Sequence, residues 1–130
     1  MNEPRTVLLV GIEPDQVDYS DPDLPPGMNA DRIRAGLAIA EQQFVDQGDH
    51  VALCALALDG SGEAVLAAQL TRADYDCVVI GGGLRRPAVH YLLFETVINT
   101  IHRHAPRAAI AFNTRPEDSA AAAERWLSRG

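Results

Sequence analysis

Two kinds of hydrophobic pattern alternate along the chain: short unbroken apolar runs, and longer stretches in which apolar residues recur every three to four positions. Thr6 to Val10 (TVLLV) is the first run, rich in β-branched side chains and ended by Gly11, which predicts a strand buried on both faces of a parallel sheet. After Asn29, a good N-cap, the residues Ile33, Leu37, Ala40 and Phe44 keep helical spacing until Gly48, predicting a helix of about 18 residues. His50 to Leu58 (HVALCALAL) predicts a second buried strand, followed by the turn Asp59, Gly60, Ser61, Gly62 and a helix through Val65, Leu66 and Leu70. Tyr75 to Ile80 (YDCVVI) predicts the third strand, and Gly81, Gly82 and Gly83 lead to Pro87, which suits the first turn of a third helix running to about His104. Arg107 to Phe112 (RAAIAF) predicts the fourth strand, and Ser119 to Leu127 a closing helix that carries Trp126.

A strand followed by a helix, four times over, predicts parallel strands joined by right-handed helical crossovers. The expected architecture is a three-layer α/β domain with a mainly parallel four-stranded sheet in the order 2-1-3-4 and helices on both faces. This Rossmann-like arrangement resembles the flavodoxin-like and receiver-domain folds with the fifth strand absent. The resemblance implies a fold and no catalytic residues. A receiver domain has an aspartate ending strand three, where this chain has glycine, and a lysine after strand five, where this chain has neither strand nor lysine. A flavodoxin has a Ser/Thr-rich phosphate loop after strand one, where Glu13-Pro14-Asp15 would repel phosphate. The edge of strand four contains no lysine or proline to protect it, so a homo-oligomer is its natural cover.

Composition narrows the classes further. The 130 residues suit a single domain over 1–130, with 12–28 as an acidic, proline-rich loop or lid. That 17-residue connection, Ile12 to Met28, holds four prolines and five acids and is too broken to be helix or interior strand. Both cysteines, Cys54 and Cys77, sit in apolar runs, which suggests free thiols in a reducing compartment, and the amino-terminal residues do not read as a secretory signal. A cytoplasmic protein is expected. The 11 basic residues, all arginine, against 18 acids give a net charge of -7. Most of that excess lies in Met1 to Asp31, where seven acids face Arg5 alone, so neither a nucleic-acid nor a membrane partner is expected.

In an open parallel sheet of this order the ligand lies beyond the carboxyl ends of strands one and three. Three loops should meet there: Gly11 to Met28, Gly81 to Arg86, and Asn113 to Arg115. The segment IGGGLRRP combines bare backbone amides with two adjacent guanidinium groups, which suits a small anion, so Gly81, Gly82, Gly83, Arg85 and Arg86 are candidate ligand-binding residues. It matches neither a dinucleotide fingerprint nor a Walker loop, and the plainer reading, a tight strand-to-helix turn, stands beside the functional one. Asn113 and Thr114 join the candidates because they end strand four, although capping of the last helix by Asp118 or Ser119 also accounts for the NTRPEDS segment.

His90, placed in the first turn of helix three, and Glu13, just beyond strand one, form the candidate catalytic pair, an acid–base reading against which a core histidine and a solvated lid are the alternatives. No spacing suggests a metal site, and no motif assigns a cofactor. The sequence thus supports binding of a small anionic molecule, with or without catalysis. Its alternative is a non-catalytic, homo-oligomeric interaction or signalling module of receiver-like fold, for which only Asp15 or Asp18 stands near a phosphoacceptor position.

Overall fold

The computed structural model describes residues 3–127. Its four strands are parallel and ordered β2-β1-β3-β4. The central strand β1 (Thr6–Ile12) pairs along its whole length with β2 (His50–Leu56), from Thr6 opposite His50 to Ile12 opposite Leu56. On its other side Val7 to Val10 pair with β3 (Cys77–Ile80), which in turn pairs with β4 (Ala109–Phe112) from Cys77 opposite Ala109 to Ile80 opposite Phe112.

Successive strand side chains point to opposite faces, so each strand serves two cores. Leu8, Val10, Ile12, Val78 and Ile80 pack with Leu66 and Leu70 of α2 (Gly62–Leu70) and with Val97 and Ile101 of a later helix, α4 (Tyr91–His104). Val7, Leu9, Cys77, Val79 and Ala111 pack with Ala40 and Phe44 of α1 (Ala30–Asp46) and with alanines 120, 122 and 123 of the last helix. The result is a sheet with helices on both faces.

Element ends depart from the apolar runs for local reasons. β1 continues through Gly11 and Ile12 because both still pair with β2, whereas β2 stops at Leu56, whose carbonyl accepts from the Glu13 amide at 2.9 Å. Asn29 caps α1 by accepting from the Arg32 amide at 2.9 Å. Past the last turn of α1, Gly48 adopts a left-handed φ of +82° that favours glycine.

The continuous third helix expected from Pro87 to His104 does not form. Gly82, Gly83, Leu84 and Arg85 instead make a single helical turn, α3 (Gly82–Arg85), after an extended Gly81, and Pro87 turns extended (ψ 125°) and breaks the chain direction. A 3-10 turn, Ala88–His90, follows, and α4 (Tyr91–His104) begins only after it. Pro87 therefore precedes a 3-10 turn rather than lying in the first turn of α4. Val89, in that 3-10 turn, is 76% exposed.

The last helix, α5 (Ser119–Leu127), is preceded by a 3-10 turn at Pro116–Asp118 that lies directly on α1. The contact is made at Gly36, where a Cβ would come within 3.0 Å of Pro116 Cβ and 2.5 Å of Glu117 Oε1. At the amino end of the sheet Arg5 ties the elements together, pairing with the buried Asp49 at 3.1 Å and with Glu124 at 2.8 Å, and both carboxylates raise its pKa.

Candidate ligand-binding site

The carboxyl ends of β1 and β3 open into a cavity of about 120 Å³. Its floor is built by Leu9, Val10 and Gly11 of β1, Leu53, Cys54 and Ala55 of β2, and Val79 of β3. Ile33 and Leu37 of α1 form one wall, Gly81 to Leu84 with Arg86 another, and Asn113 to Pro116 the rim beyond β4. The 12–28 segment closes the cavity over the top with Pro14, Val17, Tyr19, Leu24, Pro25 and Met28.

The lid is fastened at several points. Gln16 Oε1 accepts from the Leu58 amide at 2.7 Å, and Asp23 Oδ2 accepts from the Ala88 amide at 3.1 Å. Arg34 on α1 pairs with Glu13 at 3.1 Å and Asp15 at 2.8 Å, so two lid acids are neutralised at the surface. Two more serve the lid's own turns: Asp18 accepts from the Ser20 amide and hydroxyl, and Asp21 from the Asp23 amide. None of the five lid acids lines the cavity, and the side chains that do are apolar apart from Tyr19, whose hydroxyl donates to the Pro14 carbonyl at 2.8 Å. A loop that is acidic by composition is thus apolar on its inner side.

The glycine turn is occupied by the fold itself. The Gly81 amide donates to the Val10 carbonyl at 2.8 Å and the Gly82 amide to Asn113 Oδ1 at 3.0 Å. Asn113, 6% exposed, passes the connection on, since its Nδ2 donates to Ser119 Oγ at 3.0 Å and Ser119 in turn donates to the Pro116 carbonyl at 2.7 Å. One side chain therefore fixes the β3 turn to the entry of α5. Thr114 is also engaged, its amide and hydroxyl both donating to Asp118.

Three arginines from two elements converge on the end of β4. Arg125 of α5 donates to the Phe112 carbonyl at 3.0 Å, Arg85 to the Asn113 carbonyl at 2.8 Å, and Arg86 to the Thr114 carbonyl at 3.3 Å. Arg85 also lies 5.5 Å from the centre of the Phe112 ring, a cation–π distance. Burial, and then the neighbouring Arg86 cation, hold the Arg85 pKa below the usual arginine value, with Asp118 acting in the opposite direction.

Of the residues singled out in the sequence, Gly81, Gly82, Gly83, Arg86, Asn113 and Thr114 line the cavity, whereas Arg85, Glu13 and His90 do not. Glu13 is held outside by Arg34, and His90 is the residue before α4 rather than part of its first turn. Arg115, Tyr19 and the apolar lid residues Val17, Leu24 and Met28 belong to the lining but are not among the sequence candidates. The signal that finds the lid residues is their own hydrophobicity, because solvated loops have no reason to carry several large, mainly apolar side chains.

Cys54 borders the cavity, and burial pushes its thiol up, away from the thiolate. Among the described residues, no group of three or more His, Cys, Asp or Glu side chains is placed to hold a metal ion, and no helix is long and apolar enough to cross a membrane. Comparisons of the chain with protein-family models, curated proteins and solved structures find no match.

Proposed function

We propose that this protein binds a small molecule with an apolar body and an anionic end, enclosed by the lid above the carboxyl ends of β1 and β3. The observation that carries this reading is the cavity itself: an apolar interior with two guanidinium-bearing residues, Arg86 and Arg115, in its wall. Its volume approaches the roughly 150 Å³ of an apolar cavity known to hold benzene, so the body has only a handful of heavy atoms. Apolar walls supply the burial energy, and a few polar groups at one side fix the orientation. The reading is one of binding, because the polar side chains of the lining are Tyr19, Cys54, Arg86, Asn113, Thr114 and Arg115, which contain no carboxylate–imidazole pair.

Calorimetric titration with straight-chain carboxylates from acetate to octanoate tests it. Each buried methylene contributes about 0.8 kcal/mol, so affinity should rise about fourfold per carbon until the cavity is full and then level off. Pentanol should bind more weakly than pentanoate. Absence of binding across the series, with no NMR shift changes at Val17, Met28 or Leu37, would refute the reading.

A second reading is favoured by one observation. Val89, Tyr91 and Leu92, adjacent at the start of α4, are 76%, 64% and 60% exposed, which suits contact with a second copy of this chain. Sedimentation of the wild type and of Leu92→Asp checks it: a monomer at all concentrations in both removes the case for self-association.

A further inference from the structure

We infer that the anionic end of the ligand is a phosphate monoester, received at the lip of the cavity by the guanidinium groups of Arg86 and Arg115. The inference rests on the binding reading above and deepens it. Its basis is the charge state of the arginines around the end of β4. Two arginines elsewhere are compensated by carboxylates, Arg5 by Asp49 and Glu124, and Arg34 by Glu13 and Asp15. By contrast, among the described residues no ion pair to a carboxylate is formed by Arg85, Arg86, Arg115 or Arg125. Arg85, Arg86 and Arg125 hold only neutral backbone carbonyls.

Positive charge is thus collected along about three residues of chain with nothing of opposite sign bound to it. Asp118 is the nearby carboxylate, and its oxygens accept from the Thr114 amide and hydroxyl and from the Arg115 amide. Two further signs show that the collection is unsatisfied. The Nε atoms of Arg85 and Arg86 are buried and have no hydrogen-bond partner. The Arg85 pKa is depressed first by burial and then by its neighbour Arg86, with Asp118 opposing, and the Arg86 contribution is the response expected where cations crowd.

The match is to a dianion. A carboxylate brings one negative charge and two acceptor oxygens, whereas a phosphate monoester at neutral pH brings about -1.5 to -2 and three strong acceptors. Each guanidinium offers five donors in a planar fork suited to phosphate oxygens, and only one nitrogen of Arg86 is committed to a carbonyl. The Gly81 and Gly82 amides are already bonded to Val10 and Asn113, so neither is free to receive the anion, and the guanidinium groups supply the charge. Since Arg86 and Arg115 belong to the same lining as Leu24, Ile33 and Leu37, the phosphate and a short apolar chain fit one molecule.

The test is calorimetry at pH 7.5 with n-butyl phosphate, pentanoate and inorganic phosphate, on the wild type, Arg86→Gln, Arg115→Gln and the distant exposed Arg107→Gln. Butyl phosphate should bind at least tenfold more tightly than pentanoate and than inorganic phosphate. Arg86→Gln and Arg115→Gln should each abolish that advantage, and Arg107→Gln should keep it. Lowering the pH to 5 should weaken butyl phosphate as the dianion takes up one proton to become the monoanion. If Arg86→Gln proves unfolded by circular dichroism, Arg86→Lys retains the charge without the fork and should lose most of the advantage. Pentanoate binding as tightly as butyl phosphate would overturn the phosphate assignment and leave the binding reading intact, whereas no binding of either overturns the binding reading itself. Inorganic phosphate binding as tightly as butyl phosphate overturns the link between head and cavity.

Discussion

Replacing Asn113 with alanine removes the side chain that joins the β3 turn to the start of α5. The amide of Gly82 loses its acceptor at 3.0 Å, and Ser119 Oγ loses the donor at 3.0 Å while keeping its own bond to the Pro116 carbonyl. Gly82 is buried, so its amide cannot turn to solvent. Leaving such a donor unpaired costs about 1–3 kcal/mol, and the second hydrogen bond contributes about 1 kcal/mol, so the loss should total about 2–4 kcal/mol. For a domain of this length each kcal/mol lowers the midpoint by roughly 3–5 °C, so thermal unfolding should fall by about 6–20 °C.

Ser119→Ala should cost less, because the Asn113 acceptor for Gly82 survives, and the double variant should lose less than the sum of the two. Urea unfolding of the four proteins at one pH gives the comparison. A loss below about 1 kcal/mol for Asn113→Ala would refute the reasoning, because it would mean that the Gly82 amide finds another acceptor without cost.

Arg34→Ala should leave the urea midpoint unchanged, since its ion pairs are exposed, but should speed amide exchange across the lid, which loses its link to α1. The Cys77 thiol is pushed up to about 12 from 9.0, mainly by burial. The fold therefore favours the protonated form, and its contribution is full below pH 9 and is lost as the pH rises toward 12. Urea midpoints at pH 8, 9.5 and 11 should fall more steeply for the wild type than for Cys77→Ala, and equal slopes would count against it. His90→Gln should leave pentanoate affinity within twofold of the wild type in calorimetry, because the imidazole lies outside the cavity lining.

Unbroken apolar runs and helical spacing are enough to order the elements, and the right-handed crossover rule then leaves the 2-1-3-4 sheet. The break at Pro87 was not legible, because proline fits the first turn of a helix as well as the step out of one, and the next amide, Ala88, is held by Asp23, a residue remote in sequence. The site was legible in part. Glycines and arginines stand out as residue types, and topology brings their loop to the cavity. The partners they find there are backbone carbonyls and amides, which every residue possesses and no composition reveals. The lid misled in a different way: its acids dominate the count, while the apolar residues among them decide which side faces inward.

Arg125 has a bearing on how the molecule ends as a solid object. The Ala109 and Asn113 amides both point inward to β3, so alternation turns Ile110 and Phe112 outward along the free margin of the sheet. An added strand would need the Phe112 carbonyl, and that oxygen already takes the Arg125 guanidinium at 3.0 Å. Only the outward groups of Ile110 and the Phe112 amide remain, too few for a visiting chain to register against. The helix that follows β4 in the chain thus blunts a margin that carries neither lysine nor proline of its own. A strand added on that side would have to share the Phe112 carbonyl with the Arg125 guanidinium, which makes the margin a poorer template than its sequence suggests.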